Sequence, residues 1–161
     1  MATRHYDVKN FEATRSIGYL LKLALSGLHD VQAAAFANHD VSFVQWLILL
    51  KLREGAAHTA SDLCRLMNHD NGALTRQLDQ LEERGYVERK RSESDRRVVR
   101  LVLTAAGRRK VSDLLPLTVD GLNSAVSSFS KAEFAELLRL LTKLADNLQT
   151  NVDEQTAGGA S

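Results

Sequence analysis

The sequence predicts a mainly α protein that carries one small β-hairpin, and three observations predict it. Apolar residues recur at helical spacing through most of the chain, from Ile17 to Leu148. One proline and nine glycines leave little turn chemistry to interrupt helices. The exception is a pair of short runs, Tyr86–Arg91 and Arg97–Leu103, the second rich in β-branched and aliphatic residues. The polar turn Ser92-Glu93-Ser94-Asp95-Arg96 lies between them.

Bulk properties narrow the class further. A chain of 161 residues suits one compact domain, or one with appended helices. Hydrophobic residues make up 44%, enough for a core. The longest apolar run, Phe43–Leu50, is broken by Gln45 and is too short to span a bilayer. No basic-then-apolar leader opens the chain, so a cytoplasmic location is expected. A single cysteine excludes an internal disulfide.

The elements follow in order. The first ten residues are polar and are expected to fray. A helix is expected over about Ala13–Ala37, carried by Ile17, Leu20, Leu21, Ala24, Leu28, Val31 and Ala35. Leu23 and Leu25 widen its apolar stripe, as for a helix clasped on more than one side. Asn38-His39-Asp40 ends it. Ser42 and Gln45 then form a capping box, with Val41 and Trp46 as the surrounding hydrophobic staple, so a helix starts at Ser42. Gly55 stops that helix after Glu54. Thr59 or Ser61 caps a short helix whose face is Leu63, Leu66 and Met67. After a break at Asn68–Asp70, Leu74, Leu78 and Leu81 line one side of the next helix, which Gly85 terminates. Two short helices joined by so few residues are a helix-turn-helix, and the hairpin after them completes a winged unit.

Beyond the hairpin, Thr104 caps a long helix bearing Val111, Leu114, Leu115, Val119 and Leu122, with a kink expected at Pro116. Ser130 with Glu133, flanked by Phe129 and Phe134, is a second full capping device. The last helix carries Phe134, Leu137, Leu138, Leu141, Leu144, Ala145 and Leu148, and its stripe is too long for one small domain to cover. The domain is expected over 13–148, with a reader part at 42–110 and flanking helices at 13–37 and 111–149. Flexible tails are expected at 1–12 and 150–161.

Charge is sorted along this chain. Residues 84–110 hold ten Lys or Arg against three acids, a local net of +7 in a chain whose total is +1. Such a hairpin can neutralise phosphates, the sequence-independent part of DNA affinity. An ordinary solvated hairpin is the alternative.

Asp95-x-Arg97 followed by Leu103-Thr104-x-x-Gly107 resembles the wing signature of the multiple-antibiotic-resistance regulator (MarR) family. Thr75-Arg76, Leu81-Glu82, Gly85 and Arg89 fall at that family's usual places. The match is dense over Leu63–Gly107, and the helical layout extends it from about Ala13 to Leu148. The resemblance implies a winged helix-turn-helix flanked by N- and C-terminal dimerisation helices. It also implies a double-stranded DNA partner and a homodimer. The surplus apolar surface of both ends suits a two-fold dimer on a palindromic site; a monomer with its ends packed intramolecularly is the alternative.

Helical geometry proposes the reading face. Opposite the leucine stripe lie Gly72, Arg76, Asp79 and Glu83, flanked by Ala73 and Thr75. The first half of that face is small or basic, whereas Asp79, Glu82 and Glu83 in the second half repel phosphates. The N-terminal half is therefore expected in the major groove, with Arg76 on a guanine edge and Asn71 and Thr75 on bases or phosphates. Gly72 and Ala73 let the backbone approach. Arg76 has an ordinary alternative as partner of Asp79 or Gln80 on a solvated helix. At the wing, Arg97 resembles the family's minor-groove arginine, held by Asp95, while Arg96 and Lys90 contact phosphates. Asp95 can also be a simple turn-former, and Arg97 an intrachain ion-pair partner.

Small amphipathic or phenolic anions often act as effectors in the resembled family. The corresponding site here would include Tyr19, Leu23, His39, Phe43 and Trp46, with Phe43 and Trp46 as core residues the alternative. Cys64 reads as a small buried hydrophobe. The family's peroxide sensors carry their cysteine near the N-terminus, so thiol sensing is not implied. His5, His29, His39, His58 and His69 lack zinc-ligand spacing. No phosphate loop or paired carboxylates point to an enzyme, so no catalytic residue, metal or cofactor is expected. Two functions remain: an effector-responsive DNA-binding regulator, most simply a repressor, and a winged-helix module for protein contacts.

Overall fold

The computed structural model describes residues 4–67, 70–91 and 98–158, with side chains to residue 150. It is helical apart from one antiparallel hairpin. The helices are α1 (Ile17–Phe36), α2 (Phe43–Arg53), α3 (Ala60–Met67), α4 (Asn71–Glu83), α5 (Ala105–Ala125) and α6 (Lys131–Gly158). The strands are β1 (Val87–Arg91) and β2 (Val99–Leu103), in a register that runs from Val87 opposite Leu103 to Arg91 opposite Val99. Two compact units result, one ending at Leu122 and one beginning at Asn123.

Local chemistry sets the boundaries. At α2, Ser42 Oγ accepts from the Gln45 amide at 3.2 Å and Gln45 Oε1 accepts from the Ser42 amide at 3.1 Å, closing the capping box. Gly55 then takes φ +70°, the left-handed value that ends a helix with little strain in glycine. Thr59 rather than Ser61 caps α3: its Oγ1 accepts from the Asp62 amide at 3.1 Å, and Asp62 Oδ2 accepts in return from the amides of His58 and Thr59. Asp70 caps α4 through the Ala73 amide, and Gly85 ends the turn after it at φ +72°. Thr104 Oγ1 caps α5 by accepting from the Gly107 amide at 3.0 Å. Gly107 must lack a side chain, because a Cβ there would overlap the Tyr86 carbonyl oxygen and Leu103 Cδ1.

The ends differ from the sequence expectation. A short 3-10 turn, Ala13–Arg15, precedes α1, and another occupies Val8–Asn10. The Tyr6 hydroxyl accepts from the Ile17 amide at 2.9 Å, so part of the N-terminal segment caps α1. α5 carries Pro116 within its span, and α6 runs to Gly158.

One core sits beneath α4 and the hairpin. Trp46, Ile48 and Leu49 of α2 meet Leu63 of α3, the leucines of α4, and Val87, Leu101 and Leu103 of the hairpin. Leu74, Leu78 and Leu81 are at most 2% exposed. Each contributes roughly 1.5–3 kcal/mol relative to exposure, which anchors α4 by one face. The His58 carbonyl accepts from the Leu101 amide at 2.8 Å, tying the approach to α3 onto the free edge of β2. Among the described residues no helix is long and apolar enough to cross a membrane.

Candidate nucleic-acid interface

With its leucines buried, α4 turns Asn71, Gly72, Ala73, Thr75 and Arg76 to solvent. Asn71 opens the helix and its Oδ1 accepts from Cys64 Sγ at 2.8 Å, while the Thr75 hydroxyl donates to the Asn71 carbonyl at 2.7 Å. Both side chains keep acceptor capacity for a ligand. Gln77, nearer the leucine side, is half-buried.

The acids of α4 do not pair with Arg76. Arg89 on β1 takes them: its guanidinium lies 2.7 Å from Asp79 and 2.7 Å from Glu82, and its amide donates to Glu82 Oε1 at 3.2 Å. Burial works against the Arg89 charge, but hydrogen bonds and attraction from the two carboxylates outweigh it and raise its pKa. Arg76 forms no ion pair or hydrogen bond among the described residues. The sequence marked Asp79 and Glu82 as phosphate-repelling; the hairpin neutralises both, a contact between elements that helical periodicity cannot show.

On the hairpin, Lys90 is exposed and pairs with Glu88 at 3.0 Å. An exposed pair of this kind is worth about 0–1 kcal/mol, so a phosphate can displace it. Lys90 stands directly opposite Arg100 in the β register. Like charges facing each other across strands are destabilising unless an anion screens them. Arg100 was not among the sequence candidates, because only the register reveals its neighbour. Asp95, Arg96 and Arg97 lie outside the described residues, as does His69.

Beside the second half of α4 lies a cavity of about 480 Å³. Phe36, His39 and Phe43 form one part of its wall, and Gln77, Gln80 and Arg84 bring α4 into the other. Of the five effector candidates, only His39 and Phe43 line it. Trp46 is 1% exposed, and its indole N–H donates to the Val111 carbonyl at 3.2 Å, so it is core. Tyr19 and Leu23 are exposed on α1, and Tyr19 sits 17 residues before Phe36, roughly 25 Å along the helix axis. The five are therefore not brought together. Apolar spacing located α1 and α2 but not the end of α1 that faces α4, and it gave no sign of Gln80 or Arg84.

A polar cluster nearby joins the α1–α2 and α4–β1 connections to α5. The Tyr86 hydroxyl donates to Asp40 Oδ2 at 2.5 Å and Lys110 lies 3.0 Å from Oδ1, with its ammonium 5.3 Å from the Tyr86 ring centroid. These contacts hold the Asp40 carboxyl below its ordinary value, the Tyr86 bond first.

A family profile described as the MarR family matches residues 41–99. The transcriptional repressor MprA of Escherichia coli K12 is 32% identical over 149 residues, covering 91% of this chain and 84% of that protein. The regulator PecS of Dickeya dadantii is 30% identical over 119 residues, 72% of each chain. Among solved structures, a cysteine variant of E. coli MarR complexed with operator DNA superposes with a TM-score of 0.73 at 27% identity, covering 86% of this chain and 99% of that one. Apo E. coli MarR gives 0.72 at 28% identity over 80% and 96%.

Proposed function

The chain belongs to the MarR family of transcriptional regulators, and from that premise we propose that it is a cytoplasmic homodimeric repressor that binds a palindromic operator. One observation carries the reading: Arg89 pairs with Asp79 and Glu82 and leaves Arg76, on the exposed face of α4, without a partner among the described residues. Arg76 is then the group for a guanine edge, where a bidentate contact is worth ~1–3 kcal/mol of discrimination. Asn71, Thr75 and the backbone at Gly72 and Ala73 set the approach. Lys90, facing Arg100, supplies phosphate contacts, and Arg96 and Arg97, with Asp95 beside them, extend the contact at the wing.

Dimerisation rests on apolar surface. On α1, Ile17, Leu20, Leu23 and Leu25 are exposed; on α6, Leu138, Leu140, Leu141 and Leu148 are exposed. A water-facing series of this kind is costly to leave uncovered, and a second copy buries it symmetrically.

Effector control is assigned to the cavity beside α4. It has a ring-lined side, and among the described residues of its wall Arg84 supplies a guanidinium while the Asp40 carboxylate is already held by Tyr86 and Lys110, so it suits a small aromatic acid. Such a ligand weakens DNA binding only by preferring the arrangement of α4 that DNA does not select.

A mobility-shift assay with salt titration tests the main reading. Operator affinity should fall steeply with salt, as phosphate binding requires. A winged-helix module for protein contacts would show neither the shift nor the slope. A panel of aromatic acids added to the same assay tests the cavity. Phe43 stacks on Trp46 with centroids 6.1 Å apart, so tryptophan fluorescence reports occupancy at one remove.

A further inference from the structure

Gln45 is 3% exposed, and every polar group of its side chain is engaged. Oε1 accepts from the Ser42 amide at 3.1 Å and from Arg84 Nη1 at 2.9 Å; Nε2 donates to Gln80 Oε1 at 2.6 Å. The backbone N–H of Ser42 can only donate, which fixes the oxygen end of the amide. A capping box needs no more than an acceptor at this position, and glutamate would serve it equally. The donor half of the amide is therefore surplus to capping, and it goes to α4.

Both partners on α4 lie at its C-terminal end, one turn apart, at Gln80 and the C-cap Arg84. Leu74, Leu78 and Leu81 seat the helix by apolar contact, which is non-directional and resists separation far more than rotation about the axis, while Arg89 holds Asp79 and Glu82 from the hairpin side. Hydrogen bonds supply the missing direction. We propose that Gln45 is a positioning residue for DNA recognition, which acts through Gln80 and Arg84 to fix the rotation of α4 and hence the aim of Arg76. This role rests on the reading that α4 reads DNA. It separates two quantities. Affinity for random DNA depends on how many phosphates are neutralised and tolerates a small rotation. Preference for the operator depends on a bidentate geometry and does not.

The test measures the ratio of operator to random-sequence affinity in the full-length protein. Gln45→Met keeps the length of the side chain and removes all three hydrogen bonds. It should lower the ratio about tenfold while random-sequence affinity stays within about twofold. Gln45→Glu keeps the capping box and the Arg84 contact but cannot donate to Gln80, and should lie between. Gln80→Ala approaches the same bond from an exposed position, so it tests the role even if Gln45→Met folds poorly. A merely structural role would lower melting temperature or active fraction and leave the ratio unchanged in all three, which overturns the proposal. A wild-type protein with no operator preference would instead remove the DNA-reading premise.

Discussion

The guanidinium of Arg89 on β1 lies 2.7 Å from the carboxylate of Asp79 on α4, so the hairpin neutralises the helix beside it. The pair is partly exposed, at 31% and 48% of the two side chains, and contributes little to stability after solvent screening. Its effect is on where negative charge stands. Arg89→Ala should leave the melting temperature nearly unchanged and weaken DNA binding about tenfold at low salt, since like charge then faces phosphate. Adding Asp79→Asn should recover part of the loss. Fluorescence anisotropy on labelled duplex checks both, and equal affinity of wild type and Arg89→Ala would show that the clamp shields nothing.

Arg76→Ala should cost ~1–3 kcal/mol of operator binding and relax base preference at one position in each half-site. As an exposed substitution it should alter stability by less than ~0.5 kcal/mol. Arg97→Ala at the wing should also weaken binding by ~1–3 kcal/mol, without changing the sequence selected in the major groove. Unchanged operator affinity in the Arg97 variant would remove the wing from the interface.

Asp40 and Asp62 should contribute to the acid limb of the stability curve, alongside the exposed Glu133 and Glu136. Asp62 is held low first by the His58 amide and then by Thr59, and Asp40 first by the Tyr86 hydroxyl; both lie below the ordinary value of 3.8. A carboxyl with a depressed folded pKa stabilises the native state above its unfolded value and loses that stabilisation as pH falls through the folded one. The loss should therefore begin near pH 3.8 and deepen below it, with these two groups contributing no slope near neutrality. Chemical denaturation followed by Trp46 fluorescence should show a shallower acid limb in Asp40→Asn/Asp62→Asn. An unchanged limb would assign it to other carboxyls.

Truncation before Ser130 removes α6 and, with it, part of the apolar surface on which the proposed dimer rests. Light scattering should then find monomers or aggregates. A well-behaved dimer after that deletion would place the interface elsewhere.

Signals confined to one element were legible in the sequence. The Ser42–Gln45 and Ser130–Glu133 boxes, the stops at Gly55 and Gly85, and the buried face of α4 are local in the chain, and each stands where spacing placed it. Contacts between elements were not. The clamp from Arg89 to Asp79, the opposition of Lys90 and Arg100, and the amide bridge from Gln45 to Gln80 depend on register and crossing geometry. Trp46 is an intermediate case. Its place near a helix start favours the core over a ligand wall, and the bond from its indole to the Val111 carbonyl places it there.

Selection of bound duplexes from a random pool tests most directly the claim that α4 reads DNA through Arg76. The wild-type protein should enrich a two-fold symmetric consensus with half-sites about one helical turn apart, and Arg76→Ala should lose information at one position in each half. A pool that shows no enrichment, or a variant consensus identical to that of the wild type, would contradict the account.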